Sequence, residues 1–202
     1  MIRYYRFFGG LLSTQEKWLN KMAHKGYRLI KAGKLSYEFV ECEPDQYQYC
    51  IEFVAHQSYK KIKEYRSFLE NMGYTVFYKN AQLNYSIGKV RWRPYGHGFG
   101  QIATNPGNYN KELFIVEKKK DGRPFALHTT NADITAYYKP IRNSWCTPAL
   151  LFLALSIWQY ITSGAFSKEV ILFGVFGILL LIPVIYYQKE ISRVSEAAKI
   201  EE

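Results

Sequence analysis

The sequence lacks most of the patterns that identify an enzyme or a metalloprotein. Its three cysteines form no C-x-x-C pair and its four histidines are scattered, so no zinc-site spacing is present. It contains no G-x-S-x-G elbow, P-loop or kinase signature. The segment GHGFG at 96–100 lacks the following helix pattern that a dinucleotide-binding fingerprint requires. We therefore predict no catalytic residue, no metal and no cofactor, although a site assembled from distant residues would escape such a search.

Charge is absent from two long apolar runs near the C-terminus, Trp145–Ile161 and Val170–Tyr187. At a rise of about 1.5 Å per residue, each run is just long enough for a hydrocarbon core of about 30 Å. Because only the link TSGAFSKE separates the runs, we predict a transmembrane helical hairpin. The alternative is a buried helix pair in a soluble protein. The lack of ionisable residues argues against a proton or ion relay through the hairpin.

The distribution of lysine and arginine predicts an orientation for this hairpin. Cations precede the first run and follow the second: Arg123, Lys139, Arg142, Lys189, Arg193 and Lys199. The link carries only Lys168, which Glu169 offsets. By the positive-inside rule we expect a multi-pass protein of the cell membrane with both termini in the cytoplasm. The N-terminal MIRYYRFFGG shows no apolar core of a signal peptide, so we expect no cleaved leader.

Alternating aromatic and polar residues predict an α+β body before the hairpin. Strands are expected at 3–8, 35–39, 47–53 and 74–78. A helix should open at a Ser13–Glu16 capping box and end at Gly26, and Ser58 should cap a second helix that ends at Gly73. The order β-α-β-β-α-β is that of a ferredoxin-like fold, with two helices on one face of a four-stranded sheet.

The first predicted helix has an apolar face formed by Trp18, Leu19 and Met22, with Glu16, Lys17, Asn20 and Lys21 pointing away. A ligand platform is one interpretation of Trp18. A core anchor is the favoured one.

Three segments resemble the bacterial DUF2812 family: EKWLNKMAHKGYRL (16–29), the strand YQYCIEF (47–53) with a later helix ending in MGY, and ELFIVEKKKDGRPFALHT (112–129). The resemblance covers roughly residues 1–90, with 112–129 as a second region. It implies a protein of Gram-positive bacteria with a short cytosolic domain and C-terminal membrane helices, encoded near PadR-like regulators and acting in envelope response. It supplies no activity and no catalytic residue.

Cations alternate with aromatic residues between the predicted body and the hairpin. If Tyr85–Arg93 is one strand, Lys89, Arg91 and Arg93 share a face, with Trp92 and Tyr95 nearby. This face would be a charge-protected edge strand or would lie on anionic lipid headgroups. Single-stranded nucleic acid is the least favoured partner.

An added β-hairpin is predicted from Leu113–Glu117 and Pro124–His128, joined through an Asp121-Gly122 turn. Its tip carries Lys118, Lys119, Lys120 and Arg123, and would be a solvated loop or a docking point for an acidic partner or lipid. Residues 131–138 predict a short helix capped by Asn131. The predicted domains are thus 1–90 (ferredoxin-like), 91–143 (loop, hairpin and juxtamembrane segment), 144–188 (transmembrane hairpin) and 189–202 (polar helical tail).

We therefore expect a membrane-anchored, cytosol-facing binding or regulatory module, with envelope stress as its setting. Its partners would be the lipid bilayer and a regulator or membrane protein. The alternative is an accessory subunit of a transporter or another membrane complex, since Gly174, Gly177, Ala154 and Ser156 permit close helix approach. A hydrolase or transferase with a composite site is a third hypothesis.

Overall fold

The computed structural model describes residues 1–54, 57–81, 85–87, 90–92, 102–103, 113–125, 127 and 131–201, in two compact units, 1–129 and 130–202. In chain order the elements are β1 (Ile2–Tyr5), α1 (Leu12–His24), β2 (Tyr27–Ala32), β3 (Ser36–Glu41), β4 (Tyr47–Phe53), α2 (Tyr59–Asn71), β5 (Thr75–Lys79), β6 (Tyr85–Ile87), β7 (Val90–Trp92), β8 (Ile102–Ala103), β9 (Leu113–Lys119), α3 (Asn131–Ser163) and α4 (Lys168–Glu201).

The described strands of the first unit form three antiparallel sheets of three strands each, in the orders β1-β3-β2, β4-β9-β5 and β6-β7-β8. The α+β class is confirmed, whereas the four-stranded ferredoxin-like sheet is not. Two strands account for the difference: β2 pairs with β3, and β9 lies between β4 and β5. The register of β2 shifts between Leu29 and Lys31, and this irregularity interrupts the alternation by which a strand is recognised in a sequence.

The predicted hairpin of Leu113–Glu117 with Pro124–His128 is wrong in its pairing. The first strand exists as β9, but its partners are β4 and β5, and Pro124, Phe125 and Leu127 are in no strand. Phe125 and Leu127 instead pack on the core under the second sheet. The turn itself is confirmed, because Gly122 has a φ of 77° and the Arg123 N–H donates to the Asp121 carboxylate.

The segment 85–93 is not one strand. Its described residues form β6 and β7, which pair antiparallel with Ser86 opposite Arg91 and Ile87 opposite Val90. The predicted common face of Lys89, Arg91 and Arg93 depended on a single continuous strand. Lys89, Arg93 and Tyr95 lie outside the described residues.

Helix α2 confirms its predicted signals. The Ser58 side chain accepts from the Lys61 N–H at 3.4 Å, and Gly73 follows the helix with a φ of 85°. Its apolar face packs on the second sheet, in a core formed by Val54, Ile62, Leu69, Val76, Phe114 and Val116. This core holds β9, the central strand of that sheet, in place.

The second unit consists of α3 and α4, which are long and apolar enough to cross a membrane. The predicted short helix at 131–138 is not separate, because α3 runs continuously to Ser163 through Pro140 and Pro148. The polar tail is helical as predicted and continues α4. Between the helices, the Ser156 hydroxyl donates to the Val170 carbonyl at 2.8 Å, and a Cβ at Gly177 would lie 2.7 Å from Leu153 Cγ. Ser156, Gly174 and Gly177 therefore serve contacts within this helix pair.

Candidate anion-binding pocket

A cavity of about 680 Å³ lies beside α1 in the first unit. Strand β1 and the segment after it form one wall, α1 forms another, and the start of β2 completes it. The lining residues are Tyr4, Arg6, Thr14, Lys17, Trp18, Lys21, Met22, Lys25 and Tyr27. Four of these side chains are cationic, three are aromatic, and none of the described lining residues is acidic.

Trp18 anchors the pocket wall through other aromatic rings. Its ring centroid lies 4.9 Å from that of Tyr37 and 5.6 Å from that of Phe39, both in edge-to-face arrangements on β3. Tyr4 of β1 approaches it edge-on at 6.4 Å. Such contacts fix ring orientation as well as burying area. Trp18 is only half-buried, so it is both a core anchor and a pocket wall, and the two interpretations of this residue are compatible.

The lysines of the pocket come from one helical stripe. Lys17, Lys21 and the C-cap residue Lys25 are spaced by four residues, which brings them to the same side of α1. All three are exposed. Arg6 enters from the β1 side, with its guanidinium carbon 5.4 Å from the Trp18 ring centroid and 5.1 Å from that of Phe8. Four positive charges thus surround an aromatic wall.

No carboxylate neutralises these cations among the residues that the structure describes. The described ion pairs join other residues, such as Arg3 with Glu38 and Arg66 with Glu70. Clustered like charges repel one another, and an anion placed among them relieves that repulsion. The pocket is therefore suited chemically to binding an anion.

The rotation of α1 about its axis is fixed by polar contacts on another face. The Asn20 amide donates to the Tyr49 carbonyl at 2.8 Å and accepts from the Tyr49 N–H at 2.9 Å. Glu16 accepts from the Ile51 N–H at 2.8 Å. Both backbone sites belong to β4, an edge strand of the second sheet as described. The helix thereby closes that edge and turns its lysine stripe toward the cavity.

These contacts correct two predictions. The Ser13–Glu16 capping box is wrong, because the N-cap is Leu11 without a side-chain cap bond and Glu16 bonds to β4. The expectation that Glu16, Lys17, Asn20 and Lys21 all point away from the folded body is also wrong. Two of them hold β4 and two line the pocket.

A buried polar network fixes the start of β2, where Tyr27 lines the pocket. Arg28 bonds to Glu117 of β9 through Nε at 3.0 Å and Nη2 at 2.9 Å. The Tyr49 hydroxyl donates to Glu117 at 2.8 Å and accepts from the Leu29 N–H at 2.8 Å. The hydrogen bond to Glu117 raises the pKa of Arg28, while burial, followed by the Glu117 charge, raises the pKa of Tyr49. The network joins the first two sheets.

The site residues predicted from the sequence are not those of the pocket. Arg91 and Trp92 belong to β7, whose backbone pairing alone is described. Lys118 forms an ion pair with Asp121 at 2.6 Å, and Lys120 pairs with Asp45. Lys119 is exposed at the end of β9. Lys118 and Lys120 are thus already neutralised.

Sequence reasoning missed Arg6, Lys17, Lys21 and Lys25 as a group. A usable signal existed in the four-residue spacing of the lysines next to Trp18 and Met22. The contribution of Arg6 and Tyr4 depends on how β1 folds back beside α1, which no local pattern reveals.

The described pocket residues carry groups that suit contact with an anion. Their polar groups are ammonium, guanidinium, hydroxyl and indole groups, without a carboxylate, imidazole or thiol. Within the described ranges, no cluster of three or more histidine, cysteine or acidic side chains is arranged to hold a metal ion.

Comparison with known proteins gives one family. The family profile DUF2812, described as "Protein of unknown function (DUF2812)", matches residues 12–150. No curated protein and no solved structure matches the chain. The matched region begins at α1, so it includes the Trp18 wall and the lysine stripe, and it ends within α3. The chain therefore belongs to the DUF2812 family.

Proposed function

We propose that this chain is a membrane-anchored binding module in which α3 and α4 span the bilayer and the first unit binds an anionic ligand in the cytoplasm. The observation that carries the proposal is the pocket around Trp18, where four cations share an aromatic wall without a described carboxylate partner. Envelope response is the setting that we propose for this binding.

The character of the helix surfaces supports membrane anchoring. Large apolar side chains are exposed along both helices, among them Leu150, Leu151, Ile157, Ile161, Ile171, Leu172, Ile178, Leu179 and Ile185. Exposing so much apolar surface to water costs about 25 cal/mol per Å², whereas lipid chains cover it without that cost. Cations flank the outer ends of the apolar runs, as expected for cytoplasmic termini.

An accessory-subunit role receives less support. Three of the four small residues that suggested helix association are engaged within the chain, where Gly177 faces Leu153 and Gly174 faces Ser156, and only Ala154 of the four is exposed. The exposed surface of the two apolar runs is rich in large apolar side chains that suit lipid. We therefore favour the binding module.

Calorimetric titration with inorganic pyrophosphate tests the binding function. The full chain would be reconstituted in phosphatidylcholine nanodiscs and compared with the double variant Lys17→Gln/Lys21→Gln. A matched control is Lys60→Gln/Lys63→Gln, which removes two exposed lysines of α2 that lie outside the pocket lining.

We expect pyrophosphate binding that weakens about tenfold or more in the pocket variant and less than about threefold in the control, because close charges contribute more than distant screened ones. Equal weakening in both variants would indicate a general charge effect. That result, or no binding by the parent protein, would contradict the proposed function.

A further inference from the structure

We propose that the ligand of the Trp18 pocket is a nucleotide, meaning a flat heteroaromatic ring joined to two or more phosphate groups. This inference depends on the proposed anion-binding function and specifies its ligand class. It is carried by the juxtaposition of two different surfaces in one cavity.

One surface of the cavity is cationic and the other is apolar and aromatic. Arg6, Lys17, Lys21 and Lys25 supply the charge, and Tyr4, Trp18, Met22 and Tyr27 supply rings and a thioether. A bare phosphate would satisfy the cations and leave the rings in contact with water. Nucleobases stack on aromatic side chains with a favourable energy that depends little on the base, and methionine sulfur also contacts rings favourably.

The position of Arg6 joins these two surfaces. Its guanidinium lies over the Trp18 and Phe8 rings rather than against a described carboxylate, so its charge is held at the edge of the aromatic wall. A planar guanidinium both stacks on rings and forms paired hydrogen bonds to phosphate oxygens. A ligand that places phosphate beside its own ring would use Arg6 in both ways.

The size of the cavity agrees with this ligand class. Its volume of about 680 Å³ falls within the usual range for pockets that enclose small organic ligands. The wall is accessible from solvent, because the Tyr4 side chain retains 38% exposure and Tyr27 is half-buried. Residues that a ring would contact are thus available without unfolding.

An acidic lipid headgroup shares the phosphate chemistry but lacks the ring. It would use the lysine stripe and leave Tyr4, Trp18 and Tyr27 without a partner. We therefore favour a soluble nucleotide and treat a short-chain anionic lipid as a competing ligand in the test.

The experiment measures the contributions of the aromatic ring and of the phosphates to binding separately. The full chain in phosphatidylcholine nanodiscs is titrated calorimetrically with ADP, GDP, pyrophosphate, adenosine and dihexanoyl phosphatidylglycerol. We expect ADP or GDP to bind about tenfold or more tightly than pyrophosphate, because base stacking adds to phosphate binding. Adenosine should bind more weakly than ADP, since it lacks the charge.

Variants then assign each contribution to its surface. Tyr27→Leu and, separately, Tyr4→Leu should weaken nucleotide binding about fivefold or more while leaving pyrophosphate binding within about twofold, as expected when only stacking is lost. Lys17→Gln/Lys21→Gln should weaken both ligands, and Lys60→Gln/Lys63→Gln should weaken neither appreciably. Because Tyr4 and Tyr27 lie in different strands, the same loss in both variants would not be explained by local misfolding at one position.

Two results would overturn the nucleotide assignment while leaving the proposed anion-binding function intact, and a third would overturn both. Pyrophosphate binding as tightly as the nucleotides would leave an anion pocket but exclude a ring-bearing ligand. The short-chain lipid binding as tightly as ADP would identify a headgroup instead. If neither pyrophosphate nor any nucleotide bound, both the function and its ligand class would be wrong.

Discussion

Lys79 shows how a single buried charge is accommodated in the first unit. The residue retains only 2% exposure, and its ammonium donates to the carbonyls of Gly33 and Lys34. It also lies 4.2 Å from the Tyr37 ring centroid. Burial lowers the pKa of Lys79 to about 8. The side chain connects the end of β5 to the turn between β2 and β3, and thus joins the first two sheets.

The lowered pKa of Lys79 predicts a pH dependence of stability. Since the folded protein releases this proton before the unfolded chain does, the unfolded chain binds more protons between about pH 8 and pH 10.5, and stability rises with pH across that window. Relative to Lys79→Met, the free energy of unfolding should increase by about 1.5 kcal/mol between about pH 8 and pH 9.5. Urea unfolding of the full chain in detergent, followed by near-ultraviolet circular dichroism, measures it. A difference that stays constant or falls with pH would contradict the assigned shift.

Substitution of Glu117 is also expected to lower the stability of the first unit. This buried carboxylate accepts from both Arg28 and Tyr49, so Glu117→Gln leaves an Arg28 charge and a Tyr49 hydroxyl imperfectly paired. We expect a loss of about 2 kcal/mol in the free energy of unfolding. Glu70→Gln is the matched control, because Glu70 pairs with Arg66 on the exposed surface of α2 and should contribute less than about 0.5 kcal/mol. Equal losses in urea unfolding would show that the network does not support the fold.

These polar residues mark the limit of prediction from the sequence. The capping-box pattern assigned Glu16 to the wrong hydrogen bond, because its acceptor role depends on the distant strand β4. Trp18 was correctly placed on an apolar face, yet its role as a pocket wall depends on β1 and β3. Local patterns specify which side chains are apolar, and long-range packing determines which polar groups meet.

Helix α1 has three different faces. One face packs Leu19 and Met22 into the core, a second bonds Glu16 and Asn20 to β4, and a third presents the lysine stripe. The Asn20 side chain forms hydrogen bonds with both the N–H and the carbonyl of Tyr49, as a neighbouring strand would. The helix protects an edge strand that would otherwise present unpaired backbone groups.

Substitution of Asn20 therefore tests the attachment of α1 to β4. Asn20→Ala loses the donor to the Tyr49 carbonyl, the acceptor for the Tyr49 N–H and the donor to the Glu16 carbonyl. We expect a loss of about 2 kcal/mol in the free energy of unfolding. Asn71→Ala, at the exposed end of α2, should change stability by less than about 0.5 kcal/mol. If Asn20→Ala matched that control, the side chain would not hold the edge.

Elements with strong local signals were predictable and those defined by pairing were not. The stops at Gly26 and Gly73 are confirmed by positive φ values of 81° and 85°, and a Cβ at Gly26 would also lie 2.8 Å from the Cys42 carbonyl oxygen. Strand β2 was missed because its register shift breaks the alternation. Strand β9 was found but given the wrong partner, since Phe125 and Leu127 contribute to the core outside any strand.

Considered as a whole, the chain combines a folded α+β unit with two helices of a different surface character. The first unit keeps its large apolar side chains mainly inside, whereas α3 and α4 expose many of theirs. The two helices were recognisable in the sequence because their apolar runs have the length and composition that crossing a bilayer requires. The pocket was not recognisable, because its walls come from separate segments.

Tag accessibility in intact cells decides whether this protein is anchored as proposed. Full chains carrying a protease-cleavable tag at either end would be treated with protease outside cells and again after permeabilisation, with alkaline extraction of the membranes in parallel. We predict that both tags are cleaved only after permeabilisation and that the chain resists extraction. Cleavage of either tag on intact cells would contradict the cytoplasmic pocket, and release into the soluble fraction would contradict the membrane anchor.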